Sequence, residues 1–152
     1  MAAPDAPDTP WHAAYPAPTS EVEALPRQEL LRWIREGKLA GRDYVLVDVR
    51  RTDFEGGTIR GSINLPAQSL YPTRPALYTL FASSGVEHVI WYCGSCRGRG
   101  PRAAAWFKDY LMEQGDSRMK SMILEGGIKG WVAAGTEYVE LMDEYDASVW
   151  TK

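Results

Sequence analysis

Cys93 and Arg99 are the residues whose types and spacing could do chemistry. Five residues separate them in the run Trp91-Tyr92-Cys93-Gly94-Ser95-Cys96-Arg97-Gly98-Arg99-Gly100-Pro101-Arg102. A thiol between a strand end and a helix start sits where loop amides and the helix dipole converge, and both favour negative charge. The spacing lets the amides of Gly94, Ser95, Cys96, Arg97, Gly98 and Arg99 ring a tetrahedral oxyanion, while the arginine closes on two of its oxygens. No acidic residue lies between Glu87 and Asp109, whereas Arg97, Arg99, Arg102 and Lys108 do. Glycines at 94, 98 and 100 allow amides to turn inward without a side-chain clash. Such surroundings favour the thiolate near neutral pH and make Cys93 a nucleophile.

Other readings compete. A cysteine after a buried strand is often a small core residue. Cys93-Gly-Ser-Cys96 also resembles a thioredoxin-type redox motif. In that motif the helix runs on through the second cysteine, whereas Gly98, Gly100 and Pro101 place regular helix only near Pro101. A Cys93–Cys96 disulfide is chemically available, as protection against over-oxidation or as a catalytic state, so Cys96 is a candidate redox partner. Cys96-x5-Arg102 repeats the spacing, but that loop would have to contain Pro101 and the helix start, so Cys93 is the preferred nucleophile. Asp53 and Glu55 are general acids only if their loop faces the site, and they read as solvated surface. His12 and His88 form no zinc-like spacing with the cysteines, and no metal is expected.

The elements that position this loop follow from periodicity. His88-Val89-Ile90-Trp91-Tyr92 is a strand leading into Cys93, and Pro101 to about Gln114 is a helix ended by Gly115. Tyr44 to Val49 is a nearly continuous apolar run, the pattern of a strand buried on both faces, with Asp48 and Arg50 at its end. Upstream, from Ser20, the pattern is helical, with Leu30, Leu31 and Ile34 on one face and Gly37 and Gly41 closing the element. A very short strand lies near Ser62 to Asn64, a helix over 75–83, a strand over Met119 to Leu124, and a short helix near Trp131. Strands alternating with helices predict an α/β fold with a mainly parallel sheet. The chain divides into an Ala/Pro-rich flexible tail (1–20, with Trp11 and Tyr15 as anchors), a domain (21–135) and an acidic extension (136–152).

The 152 residues suit one domain. A net charge of -3 argues against a general nucleic-acid binder, and no apolar run reaches the length of a membrane span. With no disulfide framework and no leader pattern, a reducing cytoplasmic setting is expected, a nuclear one being compatible. Oligomeric state is not encoded in any pattern.

Asp48-Val49-Arg50, the run Gly56 to Pro66, the Cys93 loop, and Leu124-Glu125-Gly126-Gly127 to Trp131 together resemble the rhodanese-homology domain, from about residue 25 to 135. The loop from Cys93 to Arg99 and the Gly-Pro after it resemble the cell-division-cycle dual-specificity phosphatases and the small fungal arsenate reductases and phosphatases. Rhodanese sulfurtransferases have a shorter loop. The resemblance implies a rhodanese-like three-layer fold, a mainly parallel sheet flanked by helices. It also implies a phosphatase or arsenate reductase acting through Cys93 and Arg99 on a phosphorylated substrate or an inorganic oxyanion. No cofactor is implied, apart from glutathione or another thiol reductant for an arsenate reductase. Asp48 and Arg50 would fix nearby loops. The chain departs from the phosphatase pattern in having Tyr92 where a histidine precedes the cysteine, Thr58 in a Gly-His-Ile motif, and glycines at 94 and 98 in place of loop acids. The alternatives are a sulfurtransferase forming a Cys93 persulfide and a non-catalytic module binding a phosphorylated partner.

Overall fold

A computed structural model describes residues 10–95 and 97–151. The two most apolar runs form its centre. β2 (Val45–Asp48) lies parallel to β5 (His88–Tyr92), with Val45 opposite Val89 and Asp48 opposite Tyr92. Beyond β5 come β6 (Lys120–Leu124) and β1 (Glu23–Leu25), and beyond β2 comes β4 (Ile63–Asn64), giving a parallel sheet of order β1-β6-β5-β2-β4. The strand that delivers Cys93 is therefore central, and its C-terminal end lies beside that of β2.

The two-residue period of a strand divides the core into two layers. Val45, Val47, Val49, Val89, Trp91 and Cys93 face α2 (Arg74–Ser84) and α3 (Arg99–Glu113), against Leu77, Phe81, Ala103, Trp106 and Phe107. Leu46, Ile90 and Tyr92 face the opposite layer. There α1 (Arg27–Arg35), α4 (Gly127–Ala133) and α5 (Thr136–Val139) contribute Leu30, Leu31, Trp33, Ile128, Trp131 and Tyr138. The Trp91 indole donates to Ser121 Oγ at 2.9 Å, and that hydroxyl donates to the Ala104 carbonyl at 2.7 Å, tying β5, β6 and α3 together. This is the three-layer α/β architecture expected from the sequence.

Four local differences have physical causes. The helix expected from Ser20 begins only at Arg27, because Glu23–Leu25 form β1, whose three residues pair with Met122–Leu124, and only Leu25 of the three is buried. Pro26 then stands at the cap of α1. Helix α3 begins at Arg99 instead of Pro101. The Arg102 amide donates to the Gly98 carbonyl at 3.1 Å, and a proline in a first turn lacks only a donor that the helix does not use.

The flexible tail expected through residue 20 does not describe residues 10–20. Trp11 and Tyr15 meet Trp106 edge-on, and Tyr15 stacks on Tyr71 with ring centres 4.9 Å apart. The Asp109 carboxylate accepts from the amides and hydroxyls of Thr19 and Ser20. The acidic extension likewise packs onto the domain. Its β7 (Met142–Asp143) pairs antiparallel with β3 (Thr58–Ile59), and Trp150 of α6 (Ala147–Trp150) donates to the Gly56 carbonyl at 2.9 Å. Gly56 has φ +81°, and a Cβ there would lie 2.5 Å from the Trp150 indole nitrogen. Glycine is thus required twice, for its conformation and for its lack of bulk. No helix among the described residues is long and apolar enough to cross a membrane.

Candidate active site

Cys93 directly follows β5 on the α3 side of the sheet and is 3% exposed. The Gly100 amide, in the first turn of α3, donates to its Sγ at 3.3 Å. A helix N-terminus and an amide aimed at sulfur both stabilise negative charge there. The other side of the turn is pinned by α4, where the Ile128 amide donates to the Cys93 carbonyl at 3.0 Å and the Lys129 amide to the Gly94 carbonyl at 2.9 Å. Cys93, Gly94, Ser95, Arg97, Gly98 and Arg99 line one cavity of about 730 Å³, with Trp11, His12 and Pro18 of the N-terminal segment on its rim. The predicted loop residues thus share a single recess, except Cys96, which lies outside the described residues.

Arg99 carries the feature that sequence reasoning missed. Its two terminal nitrogens donate to both carboxylate oxygens of Asp53, at 2.7 and 2.6 Å. Asp53, on the β2–β3 loop, keeps a side chain 49% exposed, as expected of solvated surface, and it also faces the site, lining the recess and pairing with Arg99. The Arg99 guanidinium holds the Asp53 carboxyl well below the usual carboxylate range, at about 2. A carboxyl so depressed contributes stability that is present above its ordinary value of about 4 and lost as pH falls through about 2. Carbon NMR of the Asp53 carboxyl is expected to show no titration between about pH 7 and 3, and Arg99→Met to return its midpoint to about 3.9. A midpoint near 4 in the unaltered protein would contradict the pairing.

The loop bearing Asp53 is fixed from beneath. Arg50 is buried against Asp48, donating through Nε at 3.0 Å and NH2 at 2.7 Å. It also donates to the carbonyls of Glu55 and Gly57 at 3.0 and 2.8 Å. Asn64 adds bonds to the Asp48 and Arg50 carbonyls. Asp48 and Arg50 therefore hold the loop and do not line the recess around Cys93. The neighbouring strand ends carried a usable signal for Asp53: side-by-side parallel strands bring the loops after β2 and β5 to one edge, where functional groups gather.

Two departures from the phosphatase pattern turn out to be neighbours. Tyr92 points into the layer opposite Cys93, where its hydroxyl meets Thr58 Oγ1 at 2.8 Å and Ser62 Oγ at 2.6 Å and accepts from the Ile59 amide. Thr58 in turn donates to Asp48 at 2.8 Å. Burial, with the nearby Asp48 charge, pushes the Tyr92 hydroxyl above its ordinary range. Tyr92 is a structural neutral phenol, and its position on the far face keeps it out of the anion recess. Among the described residues, no group of three or more His, Cys, Asp or Glu side chains is placed to hold a metal ion.

Residues 27–134 match the family model of the rhodanese-like domain. The chain is 34% identical over 97 residues to the arsenical-resistance protein 2 of Saccharomyces cerevisiae, covering 59% of this chain and 75% of that protein. It is 32% identical over 117 residues to arsenate reductase 2.2 of Oryza sativa subsp. japonica, covering 75% and 85%. Among solved structures it superposes on Ygr203w, a yeast protein tyrosine phosphatase of the rhodanese family. That match has a TM-score of 0.72 at 26% identity and covers 87% of this chain and 99% of that one.

Proposed function

Because the chain belongs to the rhodanese-like domain family, we propose that it is a cysteine-dependent oxyanion enzyme, a phosphatase or an arsenate reductase, with Cys93 as nucleophile and Arg99 as the oxyanion clamp. The observation that carries this reading is the Gly100 amide on Cys93 Sγ at the start of α3, with the Arg99 guanidinium on the same recess. A thiolate there attacks the central atom of a tetrahedral oxyanion. The loop amides and Arg99 then take up the charge that grows on its oxygens. The relatives named for arsenate reduction and for tyrosine phosphate hydrolysis support the same substrate class.

With a phosphate ester, the S–P bond forms as the ester P–O bond breaks, and water later hydrolyses the phosphocysteine to release phosphate and the thiolate. With arsenate, the S–As bond forms as an oxygen leaves as water. A second thiol, Cys96 or an external one such as glutathione, then attacks the arsenic-bound sulfur, the electron pair of the S–As bond reduces As(V) to As(III), and a disulfide is left.

The wild-type protein and Cys96→Ser, assayed with an aryl phosphate, with arsenate plus glutathione, and with thiosulfate plus cyanide, test this reading. Turnover of the aryl phosphate or of arsenate is expected. Cys96→Ser should retain phosphate hydrolysis within a few-fold, and it should lose arsenate reduction if Cys96 is the resolving thiol. Turnover of thiosulfate alone would overturn the oxyanion reading in favour of a sulfurtransferase.

A further inference from the structure

The geometry points to Asp53 as the proton donor and acceptor of this site, the catalytic acid that the Cys93 loop does not itself contain. The inference rests on the oxyanion reading and supplies its missing proton. Among the described residues lining the recess around Cys93, Asp53 is the one carboxylate. Its placement is built in. The Arg51 amide donates to its Oδ1 at 3.1 Å, and Arg50 anchors the carbonyls of Glu55 and Gly57 further along the same loop. The charged and titratable groups that share the recess with Asp53 are Cys93 and Arg97 of the loop, Arg99 and Arg102 of α3, Lys129 of α4 and His12 of the N-terminal segment, and Arg50 and Glu55 adjoin it from its own loop.

The resting contact explains how the acid is armed. Asp53 occupies both terminal nitrogens of the guanidinium that has to close on the substrate. An incoming oxyanion therefore meets a carboxylate at the same cation. Two anions held against the same guanidinium disfavour each other's full ionisation, with Arg97, Arg102 and Lys129 on the recess offsetting part of the repulsion, so a proton shared by the pair is favoured. A phosphate monoester with its second pKa of about 6 brings that proton as its monoanion. As Arg99 turns to the oxyanion, the proton passes to the Asp53 carboxylate, leaving a neutral acid beside the scissile bond.

When the Cys93 sulfur bonds to phosphorus and the ester P–O bond breaks, Asp53 gives its proton to the departing oxygen and becomes a carboxylate. It takes a proton back from the water that hydrolyses the phosphocysteine. With arsenate, the same proton lets the departing hydroxide leave as water. A purely positioning role, in which Asp53 only holds Arg99 in place, has a different signature: it would slow every substrate alike and weaken oxyanion binding.

The test compares kcat/KM of wild type and Asp53→Asn on 4-nitrophenyl phosphate, phenyl phosphate and arsenate, with the inhibition constant of inorganic phosphate measured alongside. Phenol leaves with the basicity of a tyrosine, about 10, and needs the proton, whereas 4-nitrophenol needs it far less. Asp53→Asn is expected to lower the phenyl phosphate and arsenate values by about 100-fold or more. The 4-nitrophenyl phosphate value should fall about tenfold less. Phosphate inhibition should be at least as tight as in wild type, because a competing carboxylate has gone. Equal losses on both esters, retained arsenate turnover, or weaker phosphate inhibition would overturn the acid role. A wild type inert towards all three probes would overturn it together with the function it rests on.

Discussion

Cys93→Ser is expected to lower phosphate ester or arsenate turnover by about 10,000-fold or more, since removal of a covalent nucleophile leaves only binding and charge stabilisation behind. A serine hydroxyl is hardly ionised at neutral pH and does not replace the thiolate. Anion binding should survive within a few-fold. The groups that would hold the oxyanion are the loop amides and Arg99, and α4 pins the loop through the carbonyls of residues 93 and 94, not through the thiol. Calorimetry with inorganic phosphate on the variant, beside steady-state rates, separates the two properties. Loss of binding along with turnover would place sulfur in the structural frame of the loop, as in the reading of Cys93 as a small core residue.

Arg50→Met is expected to cost about 3–5 kcal/mol of stability, the range for breaking a buried ion pair by removing one partner. Asp48 and Arg50 have side chains 0% and 2% exposed, so water cannot replace the lost guanidinium. The Asp48 carboxylate would keep only the Thr58 hydroxyl and the amide of residue 50, and the Glu55 and Gly57 carbonyls would lose their donor. In a domain of this size the loss corresponds to a melting temperature lower by about 10 °C. Asp48→Asn in the same chain should recover part of it, because the stranded charge is then gone. Urea unfolding of the single and double variants measures the coupling. An Arg50→Met protein as stable as wild type would show that the pair does not hold the loop. The same substitution should reach the active site, because Asp53 sits on the segment that Arg50 anchors.

What could be read from the sequence depended on how local each feature was. The Cys93 loop was legible because its chemistry is contiguous: strand, thiol, glycines and arginine lie within one short run. The layered fold was legible because β2 and β5 are buried on both faces and leave unbroken apolar runs. The Asp53–Arg99 pair joins residues 46 positions apart, and it exists because β2 and β5 lie side by side. No local pattern announces it. Tyr92 looked like a lost histidine beside the nucleophile, yet adjacent residues of a strand face opposite layers, and Tyr92 belongs to the Thr58–Asp48 network. β1 escaped notice because three residues with one buried side chain make no period. The segment 10–20 was legible only in its anchors Trp11 and Tyr15, because Pro and Ala obscure the rest, and the partners of Trp11, Tyr15, Thr19 and Ser20, Trp106 and Asp109, lie far along the chain.

The central claim is that Cys93 sulfur bonds to the central atom of an oxyanion. Rapid acid quenching during turnover of an aryl phosphate, followed by mass mapping of the peptide that contains Cys93, tests it most directly. The account predicts the mass of one phosphoryl group on Cys93, absent from Cys93→Ser and from unreacted protein. A Cys93 peptide that never gains a phosphoryl group while the ester is consumed, or that gains only a sulfur atom from thiosulfate, would contradict it.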